Sequence, residues 1–198
     1  MADASGVRPG SDLAARAALA EHAALVGRLD ELLPHAADAA AAVIRCYERG
    51  GRVYTFGNGG SAADSLHFAE ELVARFRRER RPLPAQSLAA DPTVLTCIAN
   101  DFDYESLFER QVRAFVRAGD VAVGFTTSGR SANVVRALAA ARELGATTIV
   151  FAGGAGAPAS DHADHLLLVP SESTARVQEI HVLLLHLILD TVDEWAAR

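Results

Sequence analysis

Four short runs, RVYTF (52–56), VAVGF (121–125), ATTIVF (146–151) and HLLLV (165–169), are apolar along their whole length and rich in β-branched or aliphatic residues. Continuous apolarity means that both faces of such a strand must be covered, which suits a parallel sheet flanked by helices better than an antiparallel sheet facing water. PAQSLA (84–89) is a fifth, weaker candidate. Between these runs lie stretches of helical character at 62–78, 104–117, 132–144 and 174–197. Two alanine-rich helices precede them, Ser11 to about Leu33 and Pro34 to about Arg49, the second ending at Gly50-Gly51. Strands alternating with helices predict an α/β domain with a mainly parallel sheet. The expected organisation is a flexible start at 1–10 and one domain over 11–198, helical to residue 50 and α/β from 51. AGGAGAPAS (152–160) reads as a turn region inside the domain.

The chain has 198 residues, half of them hydrophobic and 22% charged, with a net charge of −6. That is enough apolar material for a core, and the acidic balance argues against a nucleic-acid partner. The one basic cluster, RFRRERR (75–81), reads as a solvated helix end, with Arg75 placed to meet an anionic substrate. All 19 basic residues are arginine, which excludes lysine Schiff-base chemistry, pyridoxal-phosphate linkage and a Walker-type phosphate loop. Cys46 and Cys97 stand alone without metal-site spacing. No secretory signal or bilayer-length apolar run is visible, so a soluble cytoplasmic protein with no membrane partner is expected.

In a parallel α/β fold, ligands sit beyond the carboxyl ends of the strands. Two loops there carry chemistry. GNGGS (57–61) fits a loose dinucleotide fingerprint through Gly57, Gly59 and Ala62, but the acidic residue expected about 20 positions on falls within RFRRERRP. The dinucleotide reading therefore loses. TTSGRS (126–131) sets Thr126, Thr127, Ser128 and Ser131 around Gly129, just ahead of a helix. A helix start offers unpaired N–H groups and partial positive charge, and hydroxyls add donors, so this loop predicts a phosphate site. Ser61 leaves the same sheet edge and joins it.

His67 and Glu71 lie four apart on one helix face, within reach of one ion or one substrate. In the last helix His181 and His186 are five apart and point about 140° away from each other, so they cannot serve one site. Gln178 and His186 are separated by about 80° and about 12 Å of helix rise. Periodicity alone leaves His186 as either a core histidine or a functional one.

Taken together and in order, GNGGSAADSLHFAEEL, ANDF, TTSGRSANV and RVQEIHVLLLH resemble the sugar isomerase (SIS) domain family from about Leu13 to the C-terminus. The resemblance implies a doubly wound, flavodoxin-like five-stranded sheet with N-terminal helices. It also implies a homotetramer with active sites at subunit contacts, isomerising D-sedoheptulose 7-phosphate to D-glycero-D-manno-heptose 7-phosphate. Position by position it implies Glu71 as base and His186 as acid/base partner. His67, Glu71, Gln178 and His186 would hold one zinc ion per subunit. Asn58, Gly59, Gly60, Ser61, Arg75, Asn100, Asp101, Thr126, Thr127, Ser128, Ser131 and Gln178 would contact the sugar phosphate. Ala62 and Ala175 stand where other members carry histidine and aspartate, departures that bear on the sugar accepted. The alternative within the family is a non-catalytic module that binds a sugar phosphate or associates with a replication initiator. Such silent members lack the glutamate and second histidine that this chain keeps.

Overall fold

The computed structural model describes residues 9–198, so the expected flexible start lies outside the described residues except for Pro9 and Gly10, which open the first helix. Helices α1 (Pro9–Val26) and α2 (Leu33–Glu48) precede strand β1 (Val53–Gly57). Then follow α3 (Gly60–Val73), β2 (Ala85–Ser87), α4 (Pro92–Asp101), α5 (Glu109–Phe115), β3 (Val121–Thr126) and α6 (Ala132–Glu143). Strands β4 (Thr147–Gly153) and β5 (His165–Val169) and helix α7 (Thr174–Ala196) complete the chain. The five strands form one sheet in the order β2-β1-β3-β4-β5, every pair parallel. This is the doubly wound α/β architecture expected, with the order reversing between β1 and β3.

Strands β1 and β3 are buried at every position, and each face of the sheet has its own core. On one side Phe68, Phe125, Phe151, Ile180, Leu184 and Ile188 pack beneath α2, α3 and α7. On the other, Phe56, Phe108, Val134 and Leu138 pack beneath α5 and α6. Alternation of side chains along each strand divides them between the two layers.

Several expected boundaries move. The helix expected over 11–33 stops at Val26, and a 3₁₀ turn at Leu29–Glu31 buries Leu29. The stretch 104–117 splits into a 3₁₀ turn at Tyr104–Ser106 and α5. Helix α4 was not expected, although Asp91-Pro92 is a start signal: Asp91 accepts from the amides of Thr93 (2.8 Å) and Val94 (3.2 Å). Helix α3 ends at Val73, five residues before the expected Arg78. RFRRERR is therefore not a helix end but an irregular strap folded back onto α7, and the side chain of Arg80 is 1% exposed there. A buried counter-ion, Asp193, overrides the helical propensity of the run.

Among the described residues no helix is long and apolar enough to cross a membrane.

Candidate active site

Two groups of side chains lie along helices α3 and α7, one at their starts and one about two to three turns farther down. At the carboxyl edge of the sheet, α3, α6 and α7 begin at Gly59, Ser131 and Ser173, and none of the three has a side-chain cap. Their N-cap residues supply no side-chain acceptor of the kind Asp91 gives α4, although in α6 the Val134 amide donates to Asn133 Oδ1 at 3.0 Å, so this edge is electropositive and suited to an anion. Thr126 is buried and its Oγ1 lies 3.2 Å from Ser131 Oγ, while Ser128 is exposed and its Oγ accepts from the Arg130 amide at 3.2 Å. Thr127 is half-buried beside them, and Ser61 is buried in the first turn of α3. The turn at 153–160 braces this loop: the Ala159 amide donates to the Gly129 carbonyl at 2.9 Å.

Asn58, in the first loop, exchanges two 2.8 Å hydrogen bonds with the buried Asn133 of α6, and the Tyr104 hydroxyl donates to Asn58 Oδ1 at 3.0 Å. Asn58, Gly59, Ala62, Thr96 and Tyr104 line a largely apolar cavity of about 280 Å³ beside the loop. Asn100 and Asp101 lie exposed at the end of α4, joined by a 2.8 Å hydrogen bond. Arg75 is exposed at the start of the strap. Asn133 and Tyr104 escaped the sequence reading, because their importance lies in partners 75 and 46 positions away.

Farther down the same helices, His67 and Glu71 of α3 meet His186 of α7. His67 Nε2 is 3.3 Å from Glu71 Oε1, and the rings of His67 and His186 lie 5.0 Å apart, edge to face. One ligand atom from each of the three residues falls within 4.8 Å of the others. Two imidazoles and a carboxylate at this separation make a donor set suited to zinc or a similar divalent ion. Burial, and then the neighbouring His67, hold the His186 imidazole below its ordinary range, with Glu71 acting in the opposite direction. Near neutral pH the ring is therefore uncharged, the form that binds a metal or accepts a proton. Phe76 stacks on the His186 ring at 5.3 Å.

Gln178 lies elsewhere. Its amide packs against Gly60 so closely that a Cβ there would overlap it, which places Gln178 at the loop end of the helices. Helix rise separates it from His186 by about 12 Å, and Gly60 from Glu71 by about 16 Å.

His181 points away from the triad, as the five-residue spacing requires. It is 0% exposed between Phe125 and Phe151, and burial pushes its imidazole down to about 4. An imidazole depressed on folding contributes stability that is complete above its unfolded value near 6.5 and is lost as pH falls towards 4. Wild-type protein should thus lose about 3 kcal/mol across that window through this group, whereas His181→Leu should show a flatter acid limb in urea titrations. Equal slopes would remove His181 from the acid response. Asp64 is also buried, with Oδ2 unpartnered, and burial raises its carboxyl to about 6 while the nearby His67 opposes.

Comparison with known proteins places this geometry in context. A family model described as the SIS domain matches residues 19–153. A phosphoheptose isomerase from Aquifex aeolicus is 49% identical over 157 residues, covering 79% of this chain and 82% of that protein. Another from Paramagnetospirillum magneticum is 52% identical over 148 residues, covering 75% and 77%. The solved phosphoheptose isomerase of Neisseria gonorrhoeae superposes with a TM-score of 0.87 at 38% identity, covering 92% of this chain and 98% of that one. That of Francisella tularensis gives 0.89 at 33%, covering 94% and 100%. The fold agrees with these matches, and the chain belongs to the SIS-domain family, among its phosphoheptose isomerases.

Proposed function

We propose that this enzyme converts D-sedoheptulose 7-phosphate to D-glycero-D-manno-heptose 7-phosphate through an enediol. The observation that carries the reading is the meeting of a carboxylate and an uncharged imidazole, from different helices, in one cluster. Glu71 takes the proton from C1 and returns it at C2, the role a carboxylate fills once it is held against a carbon acid. His186 moves the proton between the two sugar oxygens. Thr126, Thr127, Ser128, Ser131 and Ser61, with the uncapped start of α6, hold the phosphate; Asn58, Gly59, Gly60, Arg75, Asn100, Asp101 and Gln178 lie along the sugar. The anchor supplies positioning and not chemistry.

His67, Glu71 and His186 would hold a zinc ion, which would stabilise negative charge developing on a sugar oxygen. Gln178 would complete the ligand set from a second subunit, because within one chain it sits about 12 Å of helix rise from His186. The same separation, about 16 Å of helix rise between the start of α3 and Glu71, supports a homotetramer in which the proposed phosphate cradle of one chain serves the triad of another. A non-catalytic role is not favoured, since both acid/base residues are present and oriented towards each other.

Incubating purified protein with the ketose phosphate, with and without added zinc, should produce the aldose, followed by NMR. Absence of turnover in both conditions refutes the assignment. Preference for a shorter ketose phosphate in a substrate panel would move it to another isomerase of the family.

A further inference from the structure

Within the basic run Arg75–Arg81, Arg80 is unexplained by substrate binding, and its side chain is buried while Arg75, Arg77 and Arg81 are exposed. Arg80 donates from Nη2 to the Glu71 carbonyl at 2.6 Å and from Nη1 to the Leu72 carbonyl at 3.0 Å. Its Nε donates to Asp193 Oδ1 at 2.8 Å, with both side chains 1% exposed. The second oxygen of Asp193 accepts from the amides of Arg77 (3.1 Å) and Arg78 (2.7 Å). Burial alone would raise the Asp193 carboxyl, but the Arg78 amide and the Arg80 guanidinium outweigh it and hold it lowered. Outside this knot, Arg78 also reaches Asp190 at 3.0 Å.

A planar guanidinium is the one side chain whose fork can serve two carbonyls and a carboxylate together. Here it closes the last turn of α3, whose carbonyls have no intrahelical partners, and ties that turn to α7. Asp193 lies seven residues after His186, two turns along nearly the same helix face. The residues tied together are thus the backbone of Glu71 and the helix of His186. From the same strap Phe76 lies flat against the His186 ring, with an interplanar angle of 22°, while His67 meets that ring edge to face.

We propose that residues 76–80 form a positioning strap: Arg80 and Asp193 fix the separation of Glu71 from His186, and Phe76 fixes the plane of the His186 ring. None of the three touches substrate; all act through the acid/base pair. This rests on the isomerase reading for its kinetic consequence, but the geometry can be read without turnover. Because Arg80 holds the backbone of Glu71 and Phe76 packs on the His186 ring, these two residues bear on the chemical step more than on substrate anchoring.

The test uses full-length Phe76→Leu, Arg80→Met and Arg80→Lys, first checked for native circular dichroism and a cooperative melt. Each is then assayed for kcat and KM on the ketose phosphate, and for zinc affinity by chelator competition. Phe76→Leu and Arg80→Met should lower kcat at least tenfold, move KM less than threefold and weaken zinc binding at least tenfold. Arg80→Lys, keeping the charge without the fork, should fall between Arg80→Met and wild type. Folded variants with kcat and zinc affinity both within twofold of wild type would overturn the proposal, as would a loss borne wholly by KM. If wild type binds zinc but does not isomerise the sugar, the substrate assignment fails while the zinc affinities still decide the strap. Should Arg80→Met not fold, Phe76→Leu decides the ring's part and Arg80→Lys the clamp's.

Discussion

Glu71→Gln should leave the protein folded and reduce turnover by roughly a thousandfold or more, the scale of a lost general base. The side chain is 16% exposed and its recorded partner is the half-exposed His67, so the amide fits the same space without stranding a buried charge. Melting temperature should therefore change little. Solvent deuterium exchange at C1 of the ketose phosphate is the sharper measurement, because it reports proton abstraction even when product does not accumulate. Exchange should vanish in Glu71→Gln. Persistent exchange would assign the base to another group, and Asp64, seven residues earlier on the same helix with its carboxyl raised to about 6, would be the next residue to replace.

The second large effect is expected at Gly129, at the heart of the hydroxyl loop. Its φ is +70°, and a Cβ there would overlap the backbone carbonyl of Gly156. A left-handed alanine alone costs about 1–2 kcal/mol, and the neighbouring turn is backbone that cannot swing aside as a side chain would. Gly129→Ala should therefore pull the 126–131 loop off the 153–160 turn and disrupt the seat of the phosphate. KM should rise by at least about tenfold, the scale of one lost charged hydrogen bond or more, and melting temperature should fall by several degrees. Ser131→Ala, which removes one donor without moving backbone, should raise KM without the thermal loss. Together the pair separates loop geometry from hydroxyl chemistry. An unchanged KM in Gly129→Ala would show that the anion is held elsewhere.

These two sites were not equally readable from the chain. The βα alternation and the helix-start loops are local features, written in runs of five to fifteen residues, and all five strands form where those runs lie. The His67–Glu71 pair was equally legible because four residues is one helical turn. Helix α4 was readable too, through Asp91-Pro92, but its apolar side is short, with Ile98 its one buried residue, so periodicity did not show it. His186 was ambiguous between core and site because a leucine-rich helix carries both kinds of face. Only the packing of α7 against α3 brings it to His67, while His181 is buried in the core.

What the sequence determined by itself is the class of fold and the kinds of groups available: continuous apolar strands that must be covered on both faces, hydroxyls at a helix start, and a carboxylate one turn from an imidazole. Tertiary structure alone decided which distant groups meet. A run of arginines looks solvated in one dimension, and one of them, Arg80, becomes a buried clamp because Asp193, 113 positions away, offers a carboxylate that is itself 1% exposed. Burying either charge alone is prohibitive, so each fixes the other's place, and no local propensity encodes that pairing.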